Sequence, residues 1–281
     1  MYCLFKYISL SSLLIIIIWI IIQKSLSDVV ITNNNYKNNN INLHEDPVSI
    51  VTYNIQKFPW LFKSFKNIRI MLNKFNIILL QECFDETFES LHTLFPDYNI
   101  YRGTLKHINF MNSGLVILSK FPITNYYFHI YQNCNLNTSD CLAEKGFISV
   151  DIKINNKIIK IINTHLQSSY NCRYDEYAFL QFDELSNYVK NIKTDYVIGG
   201  DFNIDVNDLL KNRKIIDKIY YPKNNTIFVN FKNGDSKAHY SYNYTGLIYD
   251  YFISNMILVE NIGTIENYYS DHLPIFLYLY F

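Results

Sequence analysis

Six apolar runs in this chain end in, or enclose, a carboxylate, an amide or an imidazole. VTYNIQKF places Asn54 after a strand-like stretch, NIILLQECFD does the same for Glu82, IIKIINTHLQ for His165, and YVIGGDFNID for Asp201 and Asn203. GLIYDYFIS holds Asp250 between apolar residues, and SDHLPIFLYLYF puts Asp271 and His272 just ahead of the last run. A polar group at the end of a buried strand is costly unless it has a partner. Six such ends imply one rim of a sheet lined with hard oxygen ligands and bases. The chemistry open to such a rim is metal-assisted hydrolysis of a phosphoester.

That chemistry needs a cation to neutralise charge on oxygen, a base to activate water, and donors for the extra negative charge of the transition state. Glu82 and Asn54 are oxygen ligands suited to Mg²⁺, and Asp271 completes such a site. Mg²⁺ is the expected cation, with Mn²⁺ or Co²⁺ able to take its place. His272 is the candidate base, because an imidazole titrates near working pH. Asp250 would orient its ring. His165 and Asn203 are donors for phosphoryl oxygens, and Asp201 accepts from the water or aligns it. Singly, each has an ordinary alternative: a strand-end Glu can be a solvated cap, and Asp-x-Asn after two glycines can be an Asx-turn. The inference rests on the set and its order. His44, His92, His107 and His129 lack such settings and are expected on the surface or in loops; His239 is left open.

The elements that must position these residues alternate along the chain. Leu61, Phe65, Ile68, Leu72 and Phe75 recur at helical spacing, as do Ala178, Phe182, Leu185, Val189 and Ile192. Strands are expected at Val48–Tyr53, Ile77–Leu80, Gly114–Ser119, Phe147–Ile154, Lys157–Asn163, Tyr196–Ile198, Tyr249–Ile253 and Ile275–Tyr280. Many strands with few, well-separated helices indicate a layered α/β or α+β domain.

Composition narrows the rest. Of 281 residues, 49% are hydrophobic, ample for a core. The formal net charge is +0, which disfavours a large sequence-independent phosphate-binding surface. There is no G-x-S-x-G elbow, P-loop or G-x-G-x-x-G stretch. Lys6 precedes an apolar stretch from Ile8 to Ile22, short for a membrane span and suited to a signal-peptide core. Residues 1–27 are therefore expected to be a cleaved signal peptide, or alternatively a membrane anchor through residues 8–22, with secretion the favoured destination. Residues 28–46 form an Asn-rich polar tether, and the folded domain is expected over 47–281. Beyond the leader, Cys83, Cys134, Cys141 and Cys172 allow three disulfide pairings, of which Cys134 with Cys141, flanking a short polar loop, is favoured.

The motifs N-I-Q at Asn54, Q-E at Glu82, T-H-L at His165, G-D-F-N at Asp201, Y-D-Y at Asp250 and S-D-H at Asp271, in this order, resemble the endonuclease/exonuclease/phosphatase superfamily. The resemblance implies a four-layer α/β/β/α sandwich of two mostly antiparallel sheets with outer helices. It places Asn54, Glu82 and Asp271 at metal-side positions, His272 as general base with Asp250 as its partner, and His165, Asp201 and Asn203 in the phosphate-side group. Cys134 to Phe147, Asn163 to Ser168 with Cys172, Gln181 to Leu185, and Cys83-Phe84-Asp85 are similar to bacterial-type secreted sphingomyelinases. That likeness implies a monomeric Mg²⁺-dependent phosphodiesterase acting on a phospholipid head group at a membrane surface. Asn54-Ile55-Gln56-Lys57 is more similar to the nuclease branch, so nucleic acid is the alternative substrate, and a phosphoinositide a third.

Overall fold

The structure, a computed structural model, describes residues 47–58, 64–84, 88–103, 111–136, 138–168, 176–212, 226–228, 247–256, 259–266 and 269–280. The apolar leader, the tether, Cys172, His44, His107 and His239 lie outside the described residues.

One sheet contains β1 (Val48–Lys57), β2 (Ile77–Cys83), β3 (Asn99–Arg102), β4 (Val116–Ser119), β11 (Val259–Thr264) and β12 (Ile275–Leu279), in the order β11-β12-β1-β2-β4-β3. The other contains β5 (Ile123–Ile130), β6 (Gly146–Ile154), β7 (Lys157–His165), β8 (Asp195–Asp201), β9 (Thr226–Phe228) and β10 (Asp250–Ser254), in the order β5-β6-β7-β8-β10-β9. Among the described residues each sheet has a single parallel strand pair, β1 with β2 and β7 with β8; the other strand pairs are antiparallel. A parallel return needs a crossover. Helix α1 (Phe65–Leu72) supplies it for the first pair and helix α3 (Glu176–Val189) for the second. Helices α2 (Phe88–Leu94) and α4 (Val206–Lys211) are short.

Strand alternation explains the layers. Val48 and Ile50, Ile77 and Leu79, Ile159 and Ile161, Val197 and Phe252 share one cluster between the two sheets. Their odd-even neighbours face outward. Val51, Tyr53, Ile78 and Leu80 meet Phe65, Ile68 and Leu72 of α1. Ile162, Tyr196, Ile198 and Tyr251 meet Ala178, Phe182, Leu185 and Val189 of α3. The result is the expected helix–sheet–sheet–helix sandwich.

Several elements were not legible in the sequence. β3 is four residues long, and β5 reads ITNYYFHI with four successive exposed positions, the mark of an edge strand without clean alternation. Phe75 and Ile192 lie beyond their helices, where they still pack into the clusters that α1 and α3 cover. β1 and β2 run further than expected, so Asn54 and Glu82 lie within strands rather than after them. His129 is a correction in part: it is a half-buried residue of edge strand β5 rather than a loop residue, stacked on Phe147 at 5.0 Å and bonded to Glu184 at 3.0 Å. His92 lies in the last turn of α2.

Candidate active site

Four of the expected residues end the two parallel pairs. Asn54 and Glu82 lie near the C-terminal ends of β1 and β2; His165 and Asp201 are the last residues of β7 and β8, opposite each other in register. β10 is antiparallel to β8, so its first residue, Asp250, pairs with Asp201. β12 is antiparallel to β1, so His272, just ahead of it, arrives at the same end. The alternation that points Ile50, Ile161, Val197 and Phe252 into the core therefore points Asn54, His165, Asp201 and Asp250 into the same inter-sheet space.

There they bond to one another. Asn54 Nδ2 donates to Glu82 Oε1 at 3.0 Å and to Asp201 Oδ2 at 2.9 Å, linking the sheets. His272 Nδ1 pairs with Asp250 Oδ2 at 2.7 Å, and its Nε2 lies 3.7 Å from Asp201 Oδ2. His165 Nε2 stands 3.5 Å from Asp201 Oδ2 and 3.8 Å from Glu82 Oε1. Asn203 and Asp271 lie one step out. The Asn203 side chain donates to Leu166 O at 2.9 Å, and its N–H caps Asp201 Oδ1 at 3.0 Å. Asp271 is held by Gln56 Nε2 at 3.1 Å and Ser270 Oγ at 3.2 Å. Gln56, Glu82 and Asn203 have φ of 48°, 54° and 49°, in the left-handed region that non-glycine residues occupy at a cost, as is common where a site dictates the backbone.

Three contributors stand in the quoted motifs without having been given a role there. Lys145, one residue before β6, is buried with Nζ 2.7 Å from His165 Nε2, 3.3 Å from Leu166 O and 3.4 Å from Asp140 Oδ2. A lysine beside a glycine before a strand carries no signal of its own. Ser270 donates to Asn54 O at 2.7 Å and accepts from the His272 N–H at 3.2 Å, joining the Asn54 and Ser-Asp-His motifs. Gln56 steadies Asp271. Asp140, which also accepts from Ser168 N–H at 2.6 Å, sits beside the Cys134–Cys141 disulfide, which is formed as expected; Cys83 is a buried thiol.

The electrostatics follow from packing many ionisable groups in a dry space. Burial raises Glu82 above the usual carboxylate range, against the pull of Lys145, the Asn54 amide and His272. Burial also raises Asp201 to about 6, with His272 lowering it and Asp250 raising it. Burial, then the charges of Lys145 and His272, push His165 well below 6.5. For His272 burial acts against the charge, but Asp250, Asp201 and Asp271 outweigh it and lift the imidazole to about 10.

The donor set fits a divalent cation. Glu82 Oε2 is buried without a hydrogen-bond partner, a bare hard oxygen at a strand end. Asn54 is oriented otherwise than expected for a ligand: its oxygen accepts from Gln56 N–H at 3.0 Å and its nitrogen faces the carboxylates, so here it aligns Glu82. Asp201, Asp250 and His272 also bring one ligand atom each within 4.8 Å of one another. Their pairing, with Nδ1 on Asp250 and Nε2 toward Asp201, is equally that of an oriented base.

The sequence profile of the Endonuclease/Exonuclease/phosphatase family matches residues 51–272, from β1 to His272. The chain belongs to this family. Among curated relatives, Sphingomyelinase C 2 of Leptospira interrogans is 28% identical over 207 residues, covering 63% of this chain and 33% of that protein. Phospholipase C of Staphylococcus aureus is 32% identical over 129 residues, covering 41% of this chain and 38% of that protein. The chain thus spans well under half the length of these relatives. Among solved structures, SmcL superposes with a TM-score of 0.59 at 18% identity, covering 83% of this chain and 99% of that one. A beta toxin from Staphylococcus aureus with bound magnesium ions gives 0.59 at 19% identity, with the same coverage. These likenesses show the family's fold and agree with the expected sandwich.

Proposed function

We propose that this chain is a divalent-metal-dependent phosphodiesterase of phospholipase C type that cleaves sphingomyelin to ceramide and phosphocholine. The observation that carries the reading is Glu82: its buried, unpartnered Oε2 lies in one bonded cluster with an Asp-oriented imidazole, a second carboxylate and a buried lysine. The substrate class is suggested by the relatives named as a sphingomyelinase and a phospholipase C. Export is suggested by the apolar N-terminal stretch.

Glu82, with Asp271 and with Asn54 aligning it, would hold the cation, expected to be Mg²⁺. When bound, the cation would neutralise a phosphoryl oxygen and lower the proton affinity of the neighbouring imidazole. His272, oriented by Asp250, takes a proton from water as the water oxygen bonds to phosphorus in line with the leaving group. The bond from phosphorus to the ceramide oxygen breaks, and that oxygen takes up a proton. Asp201 accepts from the attacking water and aligns it. Lys145 places a positive charge beside His165, where it can meet the equatorial phosphoryl oxygens as their charge grows. Asn203 keeps Asp201 and the backbone after His165 in place.

The test is phosphocholine release from sphingomyelin vesicles by the full chain, with Mg²⁺ and with chelator, beside a plasmid-nicking assay. Mg²⁺-dependent release is expected. Nicking without release would move the chain to the nuclease reading.

A further inference from the structure

Beneath the reacting groups lies a second polar layer. Thr52, Gln81 and Asn163 sit on the inward faces of β1, β2 and β7, Thr52 and Asn163 two residues before Asn54 and His165 and Gln81 directly before Glu82, and all three are fully buried. Gln81 Nε2 donates to Thr52 Oγ1 at 3.0 Å and, across the inter-sheet space, to Asn163 Oδ1 at 2.6 Å. The Asn163 amide returns the bond, donating to Leu80 O at 2.8 Å and Val116 O at 2.9 Å.

Those two carbonyls mark the end of a ladder. Leu80 opposite Val116 is the last register pair between β2 and β4. The next backbone link is Cys83 N–H to Gly114 O at 2.9 Å, and Glu82 lies between with its φ of 54°. The strand end that carries Glu82 is therefore tied by an amide from the opposite sheet where its own ladder stops. That amide belongs to β7, two residues before His165.

We propose that Asn163, acting with Gln81, is a positioning residue for the cation site: it sets the separation between the Glu82 end of β2 and the His165 end of β7. The assignment rests on the metal-dependent reading above. Two buried carbonyls that lose their donors must shift or admit water. A hard cation with short, near-octahedral bonds tolerates little displacement of its carboxylate. Loss of outer partners at metal sites weakens binding about 10–100-fold.

The experiment is calorimetric titration of MgCl₂ into the full chain as wild type, Asn163→Ser, Gln81→Met and, as a control on the helix-facing side of the same sheet, Leu118→Ala. Asn163→Ser is expected to weaken Mg²⁺ binding about 10-fold or more, with Gln81→Met moving the same way and Leu118→Ala binding as wild type despite lower urea resistance. With bis(4-nitrophenyl) phosphate, the Asn163→Ser variant needs more Mg²⁺ for half-maximal rate and regains turnover when Mg²⁺ saturates. Wild-type affinity in both amide variants, or equal weakening in Leu118→Ala, overturns the assignment. If Asn163→Ser does not fold, Gln81→Met decides: it takes the donor from Asn163 Oδ1, so nothing holds that amide turned toward the two carbonyls, and wild-type Mg²⁺ affinity in this variant overturns the assignment. A wild type that binds Mg²⁺ but turns over no phosphodiester refutes the proposed function and leaves this assignment standing; one that binds no Mg²⁺ overturns both.

Discussion

Lys145 Nζ lies 2.7 Å from His165 Nε2, with both side chains buried. An ammonium has hydrogens and no lone pair, so the imidazole accepts at Nε2 and keeps its own proton on Nδ1. Burial and the lysine's charge both favour this neutral ring. In this geometry the donor at that nitrogen is the lysine. Lys145→Met should raise the His165 pKa toward 6.5 and cut kcat on a soluble phosphodiester by about 10²–10³, the cost of a lost transition-state donor. Imidazole NMR titration and steady-state kinetics check it. An unmoved His165 with kcat within twofold would end the idea.

The raised pKa of His272 has a consequence for the metal-free protein. Between 6.5 and about 10 the folded form holds a proton that the unfolded form has released. The stability from this group is thus fully present below 6.5 and is lost as pH rises through about 10. The slope approaches about 1.4 kcal/mol per pH unit for one proton. Asp201, raised to about 6, acts with the same sign over a lower window, from 3.8 to about 6. In the lower window His165, held well below 6.5, acts with the opposite sign and offsets Asp201. Urea midpoints in chelator should therefore fall with pH from 6.5 to about 10, and His272→Gln should flatten that fall. A flat wild-type curve from 6.5 to 10 contradicts the assignment.

Asp250 holds the imidazole by its Nδ1 at 2.7 Å. Asp250→Asn removes the charge that fixes ring and tautomer. It should lower kcat by about 10²–10⁴, the range of a positioned base, with near-UV circular dichroism preserved. A kcat within threefold of wild type would mean that Asp250 does not orient the base.

Glu82→Gln keeps the volume and the Asn54 contact but loses the bare charged oxygen. At Mg²⁺ 100 times its Kd, the wild type should gain about 2.7 kcal/mol of stability. The variant should gain almost none and lose Mg²⁺-dependent turnover. Retained turnover refutes the role of Glu82 as a ligand.

The disulfide closes a sequence separation of 7 beside Asp140, the partner of Lys145. Replacing Cys134 and Cys141 by serine should cost about 2 kcal/mol through the loop-entropy effect. It should also lower kcat by loosening Asp140 and with it Lys145. Urea unfolding and kinetics separate the two; a kcat that does not change would confine the bond to stability.

Residue types alone determined a good deal of this protein. Apolar runs that stop at Asn54, Glu82, His165 and Asp201 named the strands and the rim together, because a buried strand can end on such groups only where they have partners. The stripes of α1 and α3 were legible because one helix face must pack on a sheet. Edge strand β5, the short β3 and the place of His129 in a strand were not, since exposure at an edge removes the alternation that marks a strand. The roles of Lys145, Gln56 and Ser270 were equally silent, because they lie in contacts between distant segments. Only the tertiary structure decided that Asn54 turns its nitrogen to two carboxylates, that Lys145 donates to His165, and that Asn163 plugs the end of another sheet's ladder. The sequence specifies which side chains reach the rim; the stacking of two sheets brings them within a hydrogen bond of one another, and that proximity sets orientation, charge state and partner.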